Sequence, residues 1–168
     1  MPRRPRKEIE TKYYHIMTQG IRQEYIFNND KFKKKYIHEL KKYLEKYNVM
    51  LICYCIMDNH SHLLIRSEKM EEISEYMRCV NTTYAGYYNK INNRKGYVFR
   101  NRFNSQPIFS EKQMYTCINY IYNNPVKAGI CDIRDKYLYS NYSEFVKNNK
   151  IMAKEIEENG DEYNEVWS

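Results

Sequence analysis

Leu51-Ile52-Cys53-Tyr54-Cys55-Ile56-Met57 is a continuous apolar run that leads straight into Asp58-Asn59-His60-Ser61-His62-Leu63-Leu64-Ile65. A short apolar run without alternation reads as a strand buried on both faces, because a half-buried strand would alternate polar with apolar. In the second segment one residue separates the two histidines. Strand side chains alternate with period two, so on a strand both imidazoles leave the same face. Two imidazoles so placed can share one divalent cation, and a site left open on one side can accept phosphate oxygens. Taken alone, the pair is better explained as two solvated histidines on an edge strand, so the case needs support from the rest of the chain.

Working outward, Thr11 to Thr18 is aromatic and β-branched and precedes Gly20, which predicts a first strand. From Asp30, read as the N-cap, Phe32, Tyr36, Leu40, Tyr43, Leu44 and Tyr47 recur at helical spacing with lysines on the other face. Downstream, Met70, Ile73, Met77, Val80, Tyr84, Tyr88 and Ile91 define a second long helix ending near Asn92 to Gly96, where a turn begins. Tyr97 to Phe103 alternates aromatic with polar or basic residues and predicts a strand or ribbon with one charged side. Ser110-Glu111-Lys112-Gln113 has capping-box spacing and opens a third helix that Pro125 is expected to stop. Beyond Ser143 the chain turns polar, with Trp167 as a late apolar anchor, which predicts a loosely attached helix or tail. This order points to an α+β domain with helices on one face of an antiparallel sheet.

A chain of 168 residues fits one compact domain with a tail. No apolar run approaches the roughly 20 residues that cross a bilayer, and Met1 to Lys7 is basic without the apolar stretch of a secretory signal. A soluble, cytoplasmic protein with no membrane partner is therefore expected. The five cysteines are an odd number without zinc-knuckle spacing, and read as reduced core thiols. Lys and Arg exceed Asp and Glu by 28 to 21, a formal +7 that favours a polyanionic partner, although charge alone is weak support. The 19 tyrosines add aromatic faces suited to the unstacked bases of a single strand, or simply cover the core edge.

The third helix brings the chemistry together. Its apolar stripe runs through Met114, Cys117, Ile118 and Ile121, with Gln113, Tyr120 and Asn124 on one side and Tyr115 and Tyr122 on the other. A phenol with a pKa near 10 needs a metal-polarised phosphate to act as a nucleophile at neutral pH, and an amide one turn away can complete a cation's coordination. By itself, a packing tyrosine and a terminal Asn before Pro remains the simpler account of that helix end.

The stretches Tyr14 to Gly20, Met57 to Leu64, Gly96 to Phe103, Tyr120 to Gly129 and Tyr139 to Tyr142 together resemble, in order and spacing, the motifs of REP-associated tyrosine transposases. These belong to the single-tyrosine HUH transposases, and the resemblance runs from Thr11 to Phe145. It implies a ferredoxin-like antiparallel sheet, with the histidine pair on a central strand and the nucleophile on a facing helix. It also implies cleavage of single-stranded DNA beside a folded hairpin, giving a 5′-phosphotyrosine and a free 3′-hydroxyl. On that resemblance His60 and His62 match the metal pair, Tyr120 the nucleophile, and Asn124 the polar residue one turn later. Two positions depart from it. Asp58 stands where Pro is expected, and Ser61 replaces a hydrophobic residue, which is expected to weaken the strand's packing on its other face.

The expectation is thus a transposase acting as a single-stranded DNA endonuclease and strand transferase, using Mg2+ or Mn2+ and no nucleotide cofactor. Residues 1–10 form a basic arm, 11–145 the HUH domain, and 146–168 a polar tail or helix. Arg3, Arg4, Arg6 and Lys7 on the arm, with Arg94, Lys95, Arg100 and Arg102 on the strand-binding face, are the expected DNA contacts. His15 and His38 read as structural or exposed. Monomer and homodimer are both open. The competing reading is a domesticated binder that recognises DNA or RNA hairpins without cutting them; a small-substrate metallohydrolase lacks the further carboxylate-histidine cluster it would need.

Overall fold

In the computed structural model, which describes residues 10–158, four strands form one antiparallel sheet in the order β2-β3-β1-β4. The strands are β1 (Tyr13–Gln19), β2 (Met50–Ile56), β3 (His60–Arg66) and β4 (Asn104–Ile108). α1 (Asp30–Lys42) connects β1 to β2, and α2 (Met70–Ile91) connects β3 to β4. This is the expected ferredoxin-like arrangement, and it places the histidine pair on a central strand.

Tyr14, Ile16, Tyr54, Ile56, Leu63 and Ile65 point from the sheet into a core shared with Phe32, Tyr36 and Leu40 of α1 and Ile73, Tyr76 and Val80 of α2. The alternate positions Cys53, Cys55, Leu64 and Ile108 face a second core. That core is closed by α3 (Glu111–Lys127), α4 (Tyr142–Asn148) and α5 (Lys150–Glu158). The two crossover helices pack on one face of the sheet, as expected, and three further helices cover the other. The physical reason lies in β2 and β3, whose apolar residues occur on both faces and need a layer on each side.

Several local expectations change. Asn29, not Asp30, caps α1, its side chain accepting from the Phe32 N–H at 2.9 Å. α1 closes at Lys42, and Tyr43, Leu44 and Tyr47 reach the core edge from the turns that follow. Tyr97 to Phe103 is not a strand. It is a loop held to the end of β1 by Ile21 N–H to Val98 C=O and Arg100 N–H to Gln19 C=O, at 2.9 and 2.8 Å. The fourth strand lies just beyond, in Asn104-Ser105-Gln106-Pro107-Ile108, where an outer position tolerates a proline. Pro125 does not end α3, which continues to Lys127. A proline in the last turn forfeits one backbone bond while its φ remains helical, and the stop comes at Gly129 with φ +71°.

The polar C-terminal stretch is more firmly attached than expected. The boundary at 145/146 falls inside α4, and α5 buries Ala153 and Ile156, the latter 2% exposed. Residues 139–141 also line the free edge of β2: Ile56 N–H donates to Tyr139 C=O, and the Asn141 side chain accepts from Tyr54 N–H and donates to Ile52 C=O. Ile52 sits where the β2–β3 register shifts, so Asn141 satisfies a bulge carbonyl that the ladder leaves over. All five cysteines are free thiols.

Gly20, at the exit of β1, has no room for a side chain: a Cβ there would lie 2.3 Å from the Glu24 carbonyl oxygen. Its N–H also donates to Asn59 C=O at 2.9 Å, beside His60. Gly20→Ala is expected to destabilise the fold by about 1–3 kcal/mol, the usual range for overpacking, measured by urea denaturation. Wild-type stability in that variant would disprove the contact.

Candidate active site

β3 projects His60 and His62 from one face, and α3 lies across that face. The His60 and His62 rings are perpendicular with centroids 5.0 Å apart. Tyr120 of the same chain sits edge-on to His62 at 5.2 Å. Asn124 follows one turn later; its amide N–H donates to Tyr120 C=O, and its side chain also hydrogen-bonds His60. The four residues singled out in the sequence as nucleophile and cation ligands therefore lie together.

His15 joins them; of its two readings, structural or exposed, its burial leaves the structural one. It is 6% exposed and stacks on His62, which is 2% exposed, with Nε2 3.0 Å from His62 Nδ1. Its ring is 5.9 Å from that of Tyr120. The signal was present in the alternation of β1: Tyr14 and Ile16 face the α1–α2 core, so His15 must face α3. Two more contributors lay outside the sequence reading. Asn59 Oδ1 lies 2.6 Å from His60 Nδ1, and the Lys127 ammonium is 5.8 Å from the Tyr120 ring centroid. Lys127 reaches that ring because α3 runs on past Pro125, seven residues being two turns.

Burial controls the protonation of the site. It pushes the His62 ring well below its ordinary value, an effect increased by the neighbouring His15 and His60. His60 is lowered by burial, partly offset by Asn124 and Asp58. His15 is lowered by burial to about 4, partly offset by a hydrogen bond with Gln106. All three rings are neutral at pH 7, and a neutral imidazole has the lone pair that a cation requires. Among the described residues no group of three or more His, Cys, Asp or Glu side chains is placed to hold a metal. The side chains here that could hold a divalent cation are the two neutral imidazoles and the Asn124 amide beside them.

The two departures from the motif are both compensated. Asp58 pairs with Lys33, whose ammonium also donates to Phe27 C=O at 2.6 Å, so this buried lysine of α1 anchors the turn before His60. Ser61 does not leave a hole in the opposite face. Its Oγ is 2.6 Å from Thr18 Oγ1, directly across the β1–β3 register, and the Thr18 hydroxyl also meets Tyr36, which donates to Asn81.

Among the expected DNA contacts, Arg3, Arg4, Arg6 and Lys7 lie outside the described residues. Arg94 pairs with Glu24 and lies over Tyr88, while Lys95, Arg100 and Arg102 are exposed. Arg100 borders a cleft of about 210 Å³ lined by Met17, Thr18, Gln19, Asn101, Phe103 and Asn104. Two of these lining residues, Met17 and Gln19, are the β1 partners of His62 and His60. Arg100 and Arg102 also border a larger cleft of about 740 Å³ against α2, where Tyr97 is 83% exposed.

The family model for IS200-like transposases matches residues 8–124. The chain belongs to this family of DNA-processing enzymes. A solved REP-associated tyrosine transposase bound to a REP hairpin superposes with a TM-score of 0.71 at 17% identity, covering 88% of this chain and 86% of that one. It shares the fold described above. A candidate transposase from Deinococcus radiodurans R1 has a TM-score of 0.49 at 14% identity, over 72% of this chain and 96% of its own. No curated protein matches the chain in sequence. No helix among the described residues is long and apolar enough to cross a membrane.

Two predictions follow from the burial of this site. Thr18→Val should cost about 1–3 kcal/mol by stranding the Ser61 hydroxyl, whereas Thr18→Val with Ser61→Ala should cost less than the two single changes summed. Strict additivity in urea denaturation would show that the hydroxyls are not coupled. For His15, the folded value near 4 lies below the ordinary 6.5. Between these values the unfolded chain binds the proton and the folded chain does not, so stability falls as pH drops from about 6.5 to about 4. His15 alone contributes about 3 kcal/mol to that fall, and His15→Gln should flatten the profile.

Proposed function

We propose that this transposase-family chain is a metal-dependent endonuclease and strand transferase that cuts single-stranded DNA beside a hairpin. The observation that carries the reading is the placement of Tyr120 edge-on to His62, within its own chain, on the face that also presents His60 and Asn124. A divalent cation, Mg2+ or Mn2+, held by His60, His62 and Asn124, supplies polarisation of the scissile phosphate when bound. Tyr120 Oη forms the new bond to phosphorus and the P–O3′ bond breaks. The phenolic proton goes to solvent and the departing 3′ oxygen takes one up, leaving a 5′-phosphotyrosine and a free 3′-hydroxyl. Rejoining reverses the step with another 3′-hydroxyl, and the phosphotyrosine conserves the bond energy, so no nucleotide cofactor is required. Lys127 sets a positive charge beside the tyrosine where the phosphate must approach.

In this reading residues 11–145 form the catalytic domain. The arm residues Arg3, Arg4, Arg6 and Lys7, with Lys95, Arg100 and Arg102, hold the DNA backbone, and Arg94 braces the loop through Glu24. The solved relative of the same fold is bound to a REP hairpin, which makes a hairpin the natural first substrate.

Labelled hairpin DNA with a single-stranded flank, incubated with Mn2+ or Mg2+, should yield a protein–DNA adduct that survives denaturation. Chelation should abolish it, and so should Tyr120→Phe. An adduct that persists in Tyr120→Phe would remove Tyr120 from its role. Hairpin binding without cleavage under any divalent metal would instead identify a binder.

A further inference from the structure

We propose that His15 is a positioning residue: it accepts a hydrogen bond from His62 Nδ1–H and so holds His62 in the tautomer whose Nε2 lone pair can bind a cation. The inference rests on the reading of His60 and His62 as cation ligands. Its basis is the buried contact of 3.0 Å between His15 Nε2 and His62 Nδ1. Two ring nitrogens at that distance share one proton, one donating and the other accepting.

Only two arrangements are then available. Were His15 the donor, the N–H of His62 would sit on Nε2 and block ligation from that nitrogen. With His62 as the donor, Nε2 is bare. The cation reading selects the second, because only there does His62 Nε2 keep a lone pair for a metal. In that arrangement His15 Nε2, the nitrogen facing His62, is the acceptor, and the single N–H of a neutral His15 lies on Nδ1, on the strand that pairs Gln106 opposite His15. Asn59 stands to His60 as a comparable partner, its Oδ1 2.6 Å from His60 Nδ1. Ligating imidazoles are commonly oriented by such a partner on the other nitrogen, whose loss weakens metal binding by about 10–100-fold.

The first test needs no metal. Long-range 1H–15N spectra of the metal-free protein with labelled histidine should show His62 protonated at Nδ1 and bare at Nε2; protonation at Nε2 overturns the proposal. The second is calorimetric titration with Mn2+ on variants shown to be folded by circular dichroism. His15→Leu should bind about 10–100-fold more weakly, and His15→Gln, whose Oε1 can accept near the position of Nε2, should recover most of the loss. Wild-type affinity in His15→Leu, or equal weakness in His15→Gln, overturns the positioning role. Failure of the unsubstituted protein to bind Mn2+ overturns the cation reading beneath it, an outcome distinct from the others.

Discussion

Burial of β3 on both faces is the constraint on which the rest of the molecule depends. With a strand on each side and a helical layer above and below, Ser61 to Ile65 are buried and His60 is half-buried, and period-two alternation sends His60 and His62 to one layer and Ser61, Leu63 and Ile65 to the other. The histidines thereby lose hydration and stay neutral, which suits them to a cation. An edge strand would have left the same two residues solvated and protonating near pH 6.5. The ring at position 62 differs from an ordinary surface histidine through its depth, and depth is a property of the fold.

Burial on both sides carries a cost, since every polar atom on β3 needs a partner inside the protein. Ser61 meets Thr18 across the register, and Thr18 leads through Tyr36 to Asn81 on α2. His62 meets His15, and the preceding turn is held by Lys33 through Asp58. The two residues that depart from the resembled motif thus both have partners inside the protein. Ser61 has its hydroxyl opposite Thr18, and Asp58 has a buried ammonium to receive. Each substitution makes sense as half of a pair, and neither half can be interpreted from the linear motif.

This distinction separates what was legible in the sequence from what was not. Elements whose signal is local and periodic, such as α2 with its stripe from Met70 to Ile91 or the apolar run of β2, were readable because one face or one run decides them. β4 was not, since Asn-Ser-Gln-Pro-Ile carries no strand pattern and becomes a strand only by pairing with β1. The alternation from Tyr97 to Phe103 misled in the opposite direction: Val98 and Phe103 are buried by a loop that crosses the end of β1 without forming a ladder. In the site, His60, His62, Tyr120 and Asn124 were visible through their spacing and family resemblance. His15 was not, because its partnership with His62 lies diagonally across two strands distant in sequence. Its direction could have been read from the burial of Tyr14 and Ile16.

The position of Tyr120 depends on more than the sheet beneath it. α3 rests on β2 and β3 through Cys117, Ile118 and Ile121, but its outer flank is set by Tyr122, whose ring packs 5.1 Å from Tyr142 and 5.5 Å from Phe145 of α4. Tyr122 also donates to Asn141 Oδ1, the atom that accepts from Tyr54 of β2. One asparagine therefore joins the edge strand, the helix that carries Tyr120 and the segment leading into α4. On a helix a rotation of one residue is about 100°, enough to turn Tyr120 away from His62. The contact that prevents this rotation comes from the opposite side of α3, two residues along the chain. The segment from Asn141 to Phe145 thus fixes the azimuth of α3, and with it the direction from which Tyr120 meets the histidines.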